Sequence, residues 1–144
     1  MRRYFAYGSN MSKAVMAEHA PDAVPVGVAQ CDHWRFIVAR EGYASIEPSP
    51  GSLVYGVLWT VSDRDLVGLD AYESIETGLY HRRDLEVSYN DQPLRALTYV
   101  VSQPGTGRPE PYYIALCLEA GRAWGVPEGY LAELARWRDP DSRP

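Results

Sequence analysis

The sequence predicts a mixed α/β fold with mostly antiparallel strands: a small curved sheet or barrel with flanking helices. Three observations carry this. Extended runs rich in Val, Tyr, Leu and Trp follow one another across short turns, as in antiparallel sheets. Helix start and stop signals recur between and after them. No linker or internal repeat divides the 144 residues, so residues 1–144 read as a single domain.

The elements follow in order. Residues 3–7 alternate like a strand, and Gly8-Ser9-Asn10 ends it. Residues 12–20 read as a short helix, with Ser12 as N-cap and Pro21 beyond its end. Two extended runs, Val24–Ala29 and His33–Ala39, are expected to pair with each other. Residues 43–47 are extended, Pro48-Ser49-Pro50-Gly51 reads as a turn, and Leu53–Val61 is a strong strand. Ser62 and Asp65 have capping-box spacing and open a helix that reaches about Glu73, with Gly78 at the exit. Strands Tyr80–Tyr89 and Leu94–Val101 flank the turn Asn90-Asp91-Gln92-Pro93, and Gln103–Pro109 is a Gly/Pro loop. Pro111 starts a helix to Trp124 that Gly125 stops, and Pro127 starts a last helix ending near Trp137.

Composition excludes several classes. A chain this long buries about two-thirds of its unfolded surface, so it needs no metal or disulfide staple. The net charge is −5, and no basic run exceeds Arg82-Arg83, which argues against nucleic acid as a partner. The longest apolar stretch, Leu53–Val61, is too short to span a bilayer, so no membrane role is expected. Met1-Arg2-Arg3 leads into strand-like sequence rather than the apolar core of a targeting signal. Cys31 and Cys117 are far apart and lack metal-ligand spacing, which predicts two reduced thiols in a cytoplasmic protein. The scattered His19, His33 and His81 read as structural. Oligomeric state is left open, a homodimer included.

Two segments carry chemistry. The first is Tyr4-Phe5-Ala6-Tyr7-Gly8-Ser9-Asn10-Met11. A strand that stops at small residues before a helix leaves backbone N–H groups facing one space, suited to a carboxylate or a carbonyl oxygen. The second is Leu66-Val67-Gly68-Leu69-Asp70-Ala71-Tyr72-Glu73. With Leu66 at 0° and about 100° per residue, Leu69 falls near 300° and Glu73 near 340°. Glu73 thus lies on the stripe that faces the core, and Asp70 on its edge near 40° by the same count. Two readings are open. Either the helix has ended and Glu73 turns to solvent, or Glu73 enters an apolar pocket. In a pocket its pKa would rise toward the range of a general base and acid.

Together these segments resemble the γ-glutamylcyclotransferase family. Tyr7-Gly8-Ser9-Asn10 matches its YGSN signature, and Leu69-Asp70-Ala71-Tyr72-Glu73 with Gly78-Leu79-Tyr80 is similar to its catalytic-Glu segment. Ala44-Ser45-Ile46, Ser49-Pro50-Gly51, Tyr55-Gly56-Val57-Leu58-Trp59, Tyr113 and Gly125-Val126-Pro127 fall in the family's order. The resemblance covers about residues 4–135 and implies a small mixed barrel with one pocket at the YGSN loop.

The resemblance also implies a reaction without metal or cofactor. A γ-glutamyl amide cyclises to 5-oxoproline and releases a free amine or amino acid. Glu73 is implied as general base and acid. Tyr7, Gly8, Ser9 and Asn10 are implied as the substrate-binding loop, and Tyr113 as a hydroxyl donor that spacing does not separate from Tyr112. The loop amides suit either the substrate carboxylate or the carbonyl oxygen. Arg35, Arg40 and Arg82 read better as solvated surface charge than as carboxylate ligands. Ser74 follows Glu73 where the family often has Gly, which implies a different turn after the catalytic residue. The connection Arg40-Glu41-Gly42-Tyr43 is shorter than in some relatives and is expected to border the leaving-amine side. Two other classes compete: a non-catalytic module that senses a small carboxylate, and an amidohydrolase releasing glutamate.

Overall fold

The computed structural model describes residues 1–138. Five strands close into a barrel in the order β1-β3-β2-β4-β5. They are β1 (Arg2–Ala6), β2 (Val24–Val38), β3 (Ala44–Val61), β4 (Tyr80–Tyr89) and β5 (Gln92–Val101). Neighbours run antiparallel except at the closure, where β1 meets β5 in parallel with Tyr4 beside Leu97. The helices are α1 (Lys13–His19), α2 (Asp63–Tyr72), α3 (Pro111–Trp124) and α4 (Glu128–Ala135). The expected mixed α/β barrel is what forms.

Two strand expectations are corrected. Val24–Ala29 and His33–Ala39 do not pair with each other. Apart from Ala39, just beyond its end, both lie on the single strand β2, which pairs along its length with β3. Likewise, Pro48–Gly51 does not separate two strands, since β3 runs through it. The physical reason is a shared irregularity. Asp32 pairs with Leu53 but Trp34 with Pro48, so His33 bulges on β2 and residues 49–52 bulge opposite it. His33 takes a positive φ of 69° and its Nδ1 accepts the Gly51 N–H at 3.2 Å. Turn-forming residues here bend one long hairpin instead of ending a strand.

The helix signals fare better. The Ser12 hydroxyl accepts the Val15 N–H at 3.3 Å and caps α1. The Ser62–Asp65 capping box is present in both directions, and the fully buried Asp65 also accepts the Asp22 N–H at 3.0 Å. Pro111 is the first residue of α3, and Gly125 ends it at φ 83°. The last helix ends at Ala135 and tightens into a 3-10 turn, Arg136–Arg138.

Strand alternation builds two cores. Phe5 and Tyr7 join one with Leu58, Val38 and the α3 residues Ile114 and Cys117. Tyr4 and Ala6 join another with Trp59, Met16, Leu66 and Leu69. The end of β1 therefore sits between α2 and α3, and that junction holds the cavity. No helix among the described residues is long and apolar enough to cross a membrane.

Candidate active site

A cavity of about 350 Å³ opens where β1 ends. The chain after Ala6 passes through Tyr7 and Gly8 into a 3-10 turn, Ser9–Met11, whose first bond runs from the Met11 N–H to the Gly8 carbonyl at 3.1 Å. The Ser9 and Asn10 N–H groups precede that bond and so have no acceptor within the turn. Tyr7, Gly8, Ser9 and Asn10 all line the cavity.

Glu73 enters from α2. The last helical residue is Tyr72, so the helix has ended at Glu73, yet the Glu73 N–H still bonds to the Leu69 carbonyl at 2.9 Å. The backbone screw is therefore preserved through residue 73, and the side chain stays on the Leu66–Leu69 face. Both leucines are buried. The residue as a whole is half-buried and reaches the cavity, while its carboxyl group is enclosed by protein. That desolvation pushes its pKa up to about 7.

Ser74 follows in the left-handed region, at φ 55° and ψ 47°. This is a conformation glycine adopts freely and serine does not. The turn after Glu73 is thus one in which Gly would be at ease, with Ser accommodating it. Gly78 takes the same region at φ 78° and leads into β4.

The two segments meet through Asn10. Its Nδ2 donates to the Tyr4 hydroxyl at 2.9 Å and lies 3.5 Å from Glu73 Oε1. Asn10 Oδ1 is buried without a hydrogen-bond partner. Ser9 Oγ is 3.1 Å from the Tyr72 hydroxyl. No histidine lines the cavity among the described residues, so no Ser–His pair forms at Ser9.

Tyr113 and Tyr112 separate cleanly. Tyr113 is buried, and its hydroxyl accepts the Ala44 N–H at 3.1 Å. Tyr112 is 69% exposed at the mouth. The Tyr80 hydroxyl donates to the Ala44 carbonyl at 2.7 Å, so two tyrosines hold the backbone of one cavity residue.

Two lining residues, Thr98 and Tyr99, were given no role by the sequence: they lie on β5, which meets Tyr4 on β1 only where the barrel closes. The Tyr7 hydroxyl donates to the Tyr99 carbonyl across that closure. Asp70, on the stripe edge as expected, accepts from the Tyr99 hydroxyl at 2.7 Å and from Arg82 Nε and Nη2 at 2.9 and 2.6 Å. Burial would raise the Asp70 carboxyl, but the hydrogen bonds from Arg82 and Tyr99 outweigh it and hold the pKa below its ordinary value. Arg82 is thus an exposed surface charge, as expected, that pairs with Asp70 and does not line the cavity. Arg35 is paired too, with Glu47. Arg40 instead packs its side chain against Gly105.

Cys31 and Cys117 are buried free thiols, pushed up by burial to about 11 and about 12. Among the described residues, no group of three His, Cys, Asp or Glu side chains is placed to hold a metal ion.

The comparisons with known proteins agree with this geometry. The model of the γ-glutamyl cyclotransferase, AIG2-like family matches residues 4–117. The γ-glutamylcyclotransferase of Mus musculus is 26% identical over 142 residues, covering 91% of this chain and 76% of that protein. The Homo sapiens γ-glutamylcyclotransferase is 25% identical over the same length and coverage. A solved γ-glutamyl cyclotransferase structure superposes with a TM-score of 0.86 at 24% identity, over 92% of this chain and 85% of that one, which speaks to the fold. The matched region contains both the Tyr7–Asn10 turn and Glu73, and the chain belongs to the γ-glutamyl cyclotransferase, AIG2-like family as an enzyme of the γ-glutamylcyclotransferase type.

Proposed function

We propose that this protein cyclises a γ-glutamyl amide on itself, forming 5-oxoproline and a free amine, with Glu73 as the single proton carrier. The observation that supports this most is an enclosed carboxyl with a pKa of about 7 in the same cavity as the Tyr7–Asn10 turn.

The substrate brings its own nucleophile, the α-amino group, but as an ammonium ion that group has no lone pair. Ionised Glu73 takes one proton from it. The freed nitrogen attacks the γ-carbonyl carbon and closes a five-membered ring. Glu73 gives its proton to the departing nitrogen as the amide C–N bond breaks, then takes the second proton that the ring nitrogen must shed, and that proton leaves with the released amine as an ammonium ion. No water is consumed, and one carboxyl can serve as base and then acid near neutral pH because its pKa is raised to about 7. Cavity walls that hold the amine against the carbonyl supply orientation, worth roughly 7–11 kcal/mol in the best intramolecular cases. The N–H groups of Ser9 and Asn10, which have no acceptor within the turn, suit either the developing oxyanion or the α-carboxylate.

The experiment is product analysis. The protein is incubated with a panel of γ-glutamyl compounds, and products are identified by mass spectrometry. Formation of 5-oxoproline with the free amine is expected. Glutamate as the primary product would indicate hydrolysis, and binding without turnover would indicate a sensing module; either result overturns the proposal.

A further inference from the structure

We infer that the chain carries a second binding site, separate from the catalytic cavity, that takes a phosphate dianion, free or as a phosphomonoester. It lies at the start of the β1–β5 seam and does not depend on the cyclisation reading.

A hollow of about 420 Å³ opens there and shares no lining residue with the active-site cavity. Its walls include Arg2 and Arg3 of β1, Arg95 of β5, Thr60 of β3 and a single acid, Asp84. Three guanidinium groups thus surround one hollow on a chain whose net charge is −5. Strand register brings them together. β1 and β5 run parallel with Tyr4 beside Leu97, so two residues earlier Arg2 comes beside Arg95 on the same face. Arg3 points to the other face, where its strand partner is Thr60.

The neighbouring acids do not neutralise this group. Asp84 makes one long ion pair with Arg2, at 3.6 Å. Glu86 is the strand partner of Arg95, yet no ion pair joins them. Among the described residues Arg3 and Arg95 form no ion pair at all. Like charges side by side on adjacent strands repel. All three arginines are exposed, so packing does not require them.

A bound oxyanion converts that repulsion into attraction. Guanidinium forks match phosphate oxygens in pairs, and the Thr60 hydroxyl can add a donor. A carboxylate has two oxygens and is satisfied by one fork. A phosphate dianion has three or more and can accept from both strands at once. It would then tie β1 to β5 where the barrel closes.

The test titrates the protein with inorganic phosphate, a glycerol phosphate and sodium chloride at matched ionic strength. Calorimetry reads binding and thermal melting reads Tm. Saturable binding of at least one phosphate species is expected, with Tm raised beyond the chloride control. Arg3→Gln and Arg95→Gln are each expected to weaken binding about tenfold or more. Asp84→Asn is expected to tighten it about two- to fivefold, since it removes the one acid of the hollow. Arg64→Gln, on α2, is expected to leave it unchanged. A phosphate response no greater than that of chloride overturns the inference. So does equal affinity in the wild type and both of the first two variants, which would put the ion at another site. An equal loss in Arg64→Gln also overturns it, because net charge alone would then set the affinity.

Discussion

Asn10 Nδ2 sits 3.5 Å from Glu73 Oε1 and 2.9 Å from the Tyr4 hydroxyl. The shorter contact anchors the amide, and the longer one places it beside the carboxylate. At 3.5 Å a hydrogen bond is weak, so Asn10 guides Glu73 without setting its proton affinity, which comes from desolvation. Asn10→Ala is therefore expected to lower kcat about 10- to 100-fold while leaving the acidic limb of the pH profile in place. A displaced limb with unchanged kcat would assign Asn10 the opposite role.

The pH dependence of activity follows from the same carboxyl. The base must be ionised to take the ammonium proton, so kcat/KM should rise through about pH 7. An acidic limb near the ordinary Glu value, in an initial-rate series from pH 4.5 to 9, would show that burial does not control this group.

Stability should run the other way. The folded-state pKa is raised from 4.5 to about 7, so the folded protein binds more protons than the unfolded chain within that window. Stability is thus greatest below the unfolded value and falls as pH rises through the folded one. Glu73→Gln keeps the shape but does not ionise. It is expected to stabilise the protein at pH 8 by about 1–3 kcal/mol and by little at pH 4.5. Denaturant melts at both pH values check this, and a loss of stability at pH 8 would contradict it.

Gly68 tests how Glu73 is delivered. A Cβ there would stand 2.0 Å from the His19 carbonyl oxygen, a backbone atom that cannot rotate away. Gly68→Ala should push α2 off the end of α1, costing about 2 kcal/mol or more and displacing the helix that carries Glu73. Thermal melting together with kcat detects both effects, and a variant unchanged in both would show that the α1–α2 contact is slack.

Much of this was legible in the sequence, for reasons visible in particular residues. Ser62 and Asp65 cap α2 through contacts three residues apart, and Pro111 and Gly125 bound α3 by their own backbone preferences. Those are local effects. Glu73 was legible because helical geometry projects it onto the Leu66–Leu69 face, and that projection survives the end of the helix by one residue. That Val24–Ala29 and His33–Val38 form one strand paired with β3 was not legible, because bulges look like turns until the partner strand is known. Tyr99 was invisible for a related reason: it reaches the cavity from β5, which meets β1 only through barrel closure, and alone it is an ordinary core aromatic.

The central claim is that the Glu73 carboxyl carries the proton. Its most direct test is the rate of 5-oxoproline release from one γ-glutamyl amide by the wild type and by Glu73→Gln, with ligand binding and circular dichroism measured on both. The account predicts a fall of about 10³-fold with binding and fold retained. A Glu73→Gln rate within a few-fold of wild type would contradict it.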